Sequence, residues 1–327
     1  MLIRSFRTTQ IFPLVILVIL SGSMWFVSKS GTYEIVAANG MPLYDLIVRA
    51  LTFIPPLLSV FLAFLLFTSQ AIHINHIINK HEVLYKQSWL PALMFIIIAG
   101  LFPPFLWIHP ILFVNSLLIF VFDKLFSLYK HPTPLALAFD GAFLLSLSAL
   151  FYLPTIFLFL FYFLCILILR PFSWRLWAVS IMGLLLPFFF AFFYYFWNNE
   201  LMSFYERVFV SGIKRQIDLA HIFNVKYILS VVIVGVLFIL SLLKLQTNYF
   251  KNVTKSRLIQ QLLVLLIPIG ILSVLFSRDE SLYRYSIIVL PVSIYLAYYF
   301  LSGKKRWVME LMFLLLCAGW IYNYFVI

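Results

Sequence analysis

The chain has 327 residues, of which 64% are hydrophobic and only 10% charged. Soluble domains run at about 45–50% apolar and about 25% charged, so a soluble globular fold and a disordered chain are both excluded, in line with a mean hydropathy of +1.07. The net charge of +12 is therefore weighed first as loop charge beside a bilayer rather than as a nucleic-acid surface, and no nucleic-acid partner is expected.

Arg4 and Arg7 precede an apolar run to Leu20 and then Ser21-Gly22-Ser23, the outline of a cleavable signal peptide. The run continues through Trp25-Phe26-Val27, so the expectation is an uncleaved first helix. A membrane span needs about 20 mostly apolar residues. Eleven segments qualify: 11–28, 48–70, 90–108, 110–128, 134–151, 154–170, 174–196, 227–246, 258–276, 285–301 and 306–325. Short links such as Ile108-His109-Pro110 and Tyr152-Leu153-Pro154 suit tight hairpins, because proline stops one helix and starts the next. With the N-terminus inside, fifteen of the 23 Lys and Arg fall on the inner side and seven on the outer, with Arg49 near the outer end of the second span. That bias has the sign of the positive-inside rule. The expected architecture is an all-α, polytopic integral membrane helical bundle. It has about 11 transmembrane helices in a single domain over 1–327, N-terminus in and C-terminus out. Cys165 and Cys317 lie in apolar runs and provide neither a disulfide framework nor a metal site.

Seven of the eleven acids fall on the outer side, which is where a reaction is sought. The first outer loop carries Glu34 and Asp45. Segment 198–226 is the one loop long enough to fold; Phe204, Val208, Val210 and Ile213 alternate with Glu206, Arg207, Lys214 and Arg215, the pattern of a helix lying along the interface. Its basic residues can hold a lipid phosphate or simply rest on anionic headgroups. The last outer loop holds Arg278-Asp279-Glu280 and Arg284 next to an apolar helix, either a functional cluster or a set of exposed ion pairs. Asp140 lies within a span and must be protonated, paired or hydrated; Asn115 in the preceding helix is a possible partner. His73 and His76 share a helix face, with His81 following, but no carboxylate or cysteine completes a ligand set, so no metal site is expected.

Two resemblances follow from particular residues. Phe139-Asp140-Gly141-Ala142, Leu150-Phe151-Tyr152-Leu153-Pro154, Arg170-Pro171-Phe172-Ser173-Trp174-Arg175 and Gly183-Leu184-Leu185-Leu186-Pro187 resemble an uncharacterised polytopic inner-membrane family of Bacteroidota. That resemblance implies a bacterial inner-membrane location and brings no reaction. More remotely, Arg284-Tyr285-Ser286-Ile287-Ile288-Val289-Leu290-Pro291 is similar to the opening of a late helix in GT-C glycosyltransferases, which use polyprenyl-phosphate-linked sugars. The resemblance implies an acid of the first outer loop, Asp45 or Glu34, as catalytic base or as ligand of a divalent metal ion. The first loop is short and lacks the customary acidic pair.

Three functions remain open on these residues. The first is a transferase or polymerase acting on a lipid-linked saccharide, with Arg207, Lys214, Arg215, Arg278 and Arg284 on the phosphate. The second is a non-catalytic subunit of an envelope-assembly or secretion complex, docked on other membrane proteins. The third is a transporter or lipid flippase built around Asp140.

Overall fold

The computed structural model of the chain describes residues 5–8, 10, 12–28, 36, 41–206, 225–277, 281–303 and 305–326. All regular structure among them is helical. The helices are α1 (Phe12–Ser28), α2 (Pro42–Thr52), α3 (Pro56–Lys80), α4 (Leu90–Gly100), α5 (Pro110–Ser127), α6 (Pro134–Phe151), α7 (Leu158–Leu169), α8 (Trp174–Trp197), α9 (Leu201–Tyr205), α10 (Val225–Asn248), α11 (Thr254–Leu275), α12 (Ser286–Ser302) and α13 (Arg306–Ile321). Proline sets many of the starts: α2, α3, α5 and α6 each begin on one. At that position its missing N–H has no intrahelical partner to lose and its fixed φ already suits a helix.

Hydrogen bonds sort the helix ends into two groups. At one end Arg7 donates to Phe300 O (2.6 Å), Tyr85 to Leu301 O (2.7 Å), Ser256 to Glu82 O (2.7 Å) and Arg170 to Leu128 O (2.8 Å). Lys80 is also there, on Asp123. At the other end Val36 N donates to Ile108 O (3.1 Å), Ser273 to Pro154 O (2.8 Å) and Asn323 to Leu101 O (2.6 Å), and Tyr283 stacks on His109. These are called the Lys80 end and the Arg284 end.

Among the described residues eleven helices run alternately between the two ends. Eight of them are long and apolar enough to cross a membrane: α3, α5, α6, α8 and α10 to α13. The other three, α1, α4 and α7 with its leading turn, are shorter apolar helices. An integral membrane protein with many passes follows directly. At 11 residues α4 measures about 16 Å, half a bilayer core. Every one of its residues is buried, and it is followed by a turn and the 3₁₀ helix Pro103–Phe105.

The second predicted span, 48–70, is corrected. Pro55 and Pro56 break it, and two helices result: the passing helix α3 and the short amphipathic helix α2. Helix α2 stays at the Arg284 end, burying Tyr44 and Leu51 while Leu46 and Arg49 are exposed. The start of the predicted interfacial segment 198–226 is α9, where Phe204 is buried and Glu200 and Glu206 are exposed. Arg207, Lys214 and Arg215 lie outside the described residues, as do Glu34 and Arg278.

Helix α12 is the centre of the bundle and α10 its margin: 78% of the apolar window of the first is buried, against 22% of the second. Helices α6 and α8 approach closely, since a Cβ built on Gly183 would lie 2.7 Å from Phe139 O. The turn loosened by Pro187 is secured by Ser146, which donates to Leu184 O at 2.5 Å.

Candidate functional site

At the Arg284 end the chain enters α12 through a 3₁₀ turn, Leu282–Tyr285. Each residue of this turn has its own surroundings. Tyr283 is buried and stacks on His109 with ring centroids 5.1 Å apart. Arg284 is 8% exposed, its guanidinium carbon 5.1 Å above the Tyr285 ring and its Nη2 3.3 Å from the Tyr285 hydroxyl. His109 caps α5, its Nδ1 accepting from Leu112 N at 3.1 Å, and its Nε2 lies 3.3 Å from Phe105 O. Both ring nitrogens are thus in use, with the proton on Nε2. Burial holds the imidazole well below its ordinary pKa, against the smaller pull of the Phe105 carbonyl.

Two cavities meet at this turn. The first is a chamber of about 1060 Å³, lined by Trp25, Val36, Leu51, Thr52, Ile54, Pro56, Ser59, Val60, Pro104, Trp107, Ile108, Ser281, Leu282 and Tyr283. Its wall is pinned where Tyr44 donates to Val36 O at 2.7 Å and Val36 N to Ile108 O at 3.1 Å. The second is an apolar slot of about 470 Å³ between α10, α11 and α12. Ile228, Val231, Val232 and Ile271 line it and are exposed on the outside of the bundle, so it opens toward hydrocarbon. Leu282 lines both cavities; Tyr285 lines only the slot and Tyr283 only the chamber.

The predicted site residues distribute unevenly over this geometry. Asp45 is in the first turn of α2, half-buried beside the buried Tyr44. Neither Asp45 nor Arg284 is among the residues lining the chamber, and no described acid lines it. In sequence Glu34 comes just before the lining residue Val36, and Arg278-Asp279-Glu280 leads directly into Ser281.

Asp140 pairs with Lys124, 2.7 Å away, not with Asn115. Both partners are partly exposed, 46% and 33%, because they lie near the Lys80 end of their helices. Asn115 instead donates to Ser286 O at 3.2 Å. Helix packing turns Asn115 toward α12, and Lys124 is the group that reaches back to α6.

Asp123 escaped the sequence reading, although the rule that singles out Asp140, an acid within an apolar helix, applies equally to it. It accepts from Lys80 at 2.8 Å and from His81 Nε2 at 2.7 Å, and Lys255 Nζ is 3.4 Å from His81 Nδ1. Burial lowers the His81 pKa; Lys255 and Lys80 push the same way and Asp123 opposes them. A neutral imidazole between a carboxylate and an ammonium fastens α3, α5 and α11 at the Lys80 end. His73 lies against Phe120, centroids 4.5 Å apart. Among the described residues no three His, Cys, Asp or Glu side chains are grouped to hold a metal ion.

The chain matches no known protein family, no curated protein and no solved structure.

Proposed function

We propose that the protein is a membrane transferase that receives a lipid-linked saccharide from the bilayer, holding the polar head in the chamber and the hydrocarbon tail in the slot. The observation that supports this is the shared wall. A roomy chamber and a slot open to hydrocarbon meet at one residue, Leu282, and Arg284 follows two residues later in the same turn. An amphiphile seated across that wall has its phosphate at the turn. A guanidinium is the side chain suited to such a group, since it stays charged when buried and contacts phosphate oxygens in pairs.

The chemistry asks little else of the protein. An acceptor hydroxyl attacks the anomeric carbon, the bond to the lipid phosphate breaks, and the phosphate leaves with the electron pair. Arg284 neutralises the charge growing on it, and a carboxylate takes the hydroxyl proton. Asp45 and Glu34 are the candidates for that base. The described residues do not form a metal site, and the steps above use none.

The test is retention of a lipid. Protein extracted directly into native-lipid nanodiscs is analysed by mass spectrometry for bound phosphoglycolipid, alongside Arg284→Gln and Gly235→Trp. Gly235 lines the slot, and a Cβ there meets nothing within 4 Å, so a side chain can start from this position, and an indole takes up slot volume. Each variant is expected to retain about tenfold less lipid, equivalent to about 1.4 kcal/mol. Equal retention by the wild type and both variants, or no phosphoglycolipid on any of them, overturns the assignment.

A further inference from the structure

Gln70 of α3, Asn115 of α5 and Ser286 of α12 meet in the core at 2%, 4% and 4% exposure. Their direct hydrogen bonds use only part of their capacity. Gln70 Nε2 donates to Leu112 O and to Ser116 Oγ, both at 2.7 Å, which engages both amide hydrogens. Asn115 Nδ2 donates to Ser286 O. Gln70 Oε1, Asn115 Oδ1 and Ser286 Oγ have no hydrogen-bond partner among the described residues, and all three residues line one buried cavity of about 10 Å³. A buried polar atom left unsatisfied costs about 1–3 kcal/mol, so three of them on residues that line one small space call for a common partner.

We infer that this cavity binds a single water molecule, which bridges α3, α5 and α12. The hydrogen inventory fits it. Water donates one O–H to each of the two amide oxygens and accepts from the Ser286 hydroxyl, the roughly three bonds an internal water ordinarily makes. The size fits as well, since a space of about one probe sphere takes one water and nothing larger. A cation is disfavoured by the lining, which contains no carboxylate, and by His109, whose nitrogens are both occupied. The His109–Tyr283 stack stands between this cavity and the chamber: His109 lines the one and Tyr283 the other. The bound water therefore exchanges slowly with the chamber. It also supplies the interhelix polar contacts that the three side chains do not make directly, as hydrogen-bonded residues do between helices in lipid.

Infrared difference spectra of the protein in nanodiscs, prepared in ordinary and in oxygen-18 water, read this site directly. A narrow O–H stretching band that shifts with the oxygen isotope is expected in the wild type. It is expected to be lost in the triple variant Gln70→Leu, Asn115→Leu, Ser286→Ala, which removes all three partners. Identical isotope-sensitive bands in the two proteins overturn the proposal, as does the absence of any such band from the wild type. Should the triple variant fail to fold, Ser286→Ala alone decides. Losing the donor to the water weakens its two remaining bonds and moves the band to higher frequency, and an unmoved band rejects the site.

Discussion

His109 shows how much one side chain can carry at the Arg284 end. It caps α5, stacks on Tyr283 and walls off the inner cavity, and it does all three as a neutral ring. The folded protein holds its pKa below the ordinary histidine value of 6.5, so below that pH the unfolded chain binds a proton that the folded one refuses. The stability His109 contributes is then fully present above about pH 6.5 and is lost as the pH falls toward the depressed value. By pH 5 the loss attributable to this ring is about 2 kcal/mol. His109→Asn keeps an acceptor for the Leu112 amide, since asparagine is a good helix cap, but does not titrate. Thermal unfolding in detergent at pH 7 and pH 5 is expected to show a larger acid-induced drop in Tm for the wild type than for the variant. Equal drops would place the acid sensitivity elsewhere, with the His81–Asp123 contact the next candidate. The sequence made none of this legible. It marked polar residues in apolar surroundings, Asp140, Asn115 and Arg284 among them, because their transfer into lipid is expensive wherever they point. It could not say that Lys124 would turn back to Asp140, since that depends on how two helices rotate against each other.

The helices themselves were far more legible, for a physical reason. A bilayer requires every backbone group in it to be satisfied within its own segment, so length and apolarity alone mark out a pass. Each of the eleven segments contains a helix among the described residues, and eight of those helices are long and apolar enough to cross a membrane. What the pattern missed is where a helix may be short: α4 needs only 11 residues because protein, not lipid, surrounds it on all sides. Pro55-Pro56 is visible in the sequence as an interruption of 48–70, but its division of the run into a passing helix and a short helix lying at one end is not. Packing between elements was hidden too, and two glycines make the difference measurable. In α8 a Cβ on Gly183 would meet Phe139 O at 2.7 Å and the Ala142 Cβ at 3.0 Å. The first of these is backbone and cannot rotate away. Gly183→Ala must therefore push α8 off α6, which should destabilise the protein by about 1–3 kcal/mol. In α10 Gly235 has open space, and Gly235→Ala should be neutral or stabilising by up to about 1 kcal/mol through helix propensity. Thermal unfolding of the two variants side by side tests this. A Gly183→Ala protein as stable as Gly235→Ala would mean that the α6–α8 approach is looser than described.

At the scale of the whole molecule the number of crossings turns on three short helices, because among the described residues eight of the eleven helices that run between the two ends are long and apolar enough to cross a membrane. The chamber and slot assignment depends on the answer, since both cavities must lie at one face of the membrane. The decisive helix is α7, of 12 residues with a 3₁₀ lead-in. Thr133, exposed in the link between α5 and α6, and Asn198, exposed just after α8, are separated by α6, α7 and α8. If all three cross, the two positions lie on opposite faces; if α7 does not, they share one. Thr133→Cys and Asn198→Cys, each tested with a membrane-impermeant maleimide on intact and on lysed cells, separate the cases. Cys165 is buried in α7 and Cys317 lies within α13, so the native thiols leave a quiet background. The expected outcome is labelling of Asn198→Cys on intact cells and of Thr133→Cys only after lysis. The charge balance predicts that direction, because Lys80, Lys124, Arg170 and Lys255 cluster at the end where Thr133 lies. Labelling of both from one side would remove α7 as a pass. The reverse order would keep eleven passes but turn the chamber toward the cytoplasm, where its substrate would have to be an amphiphile of the inner leaflet.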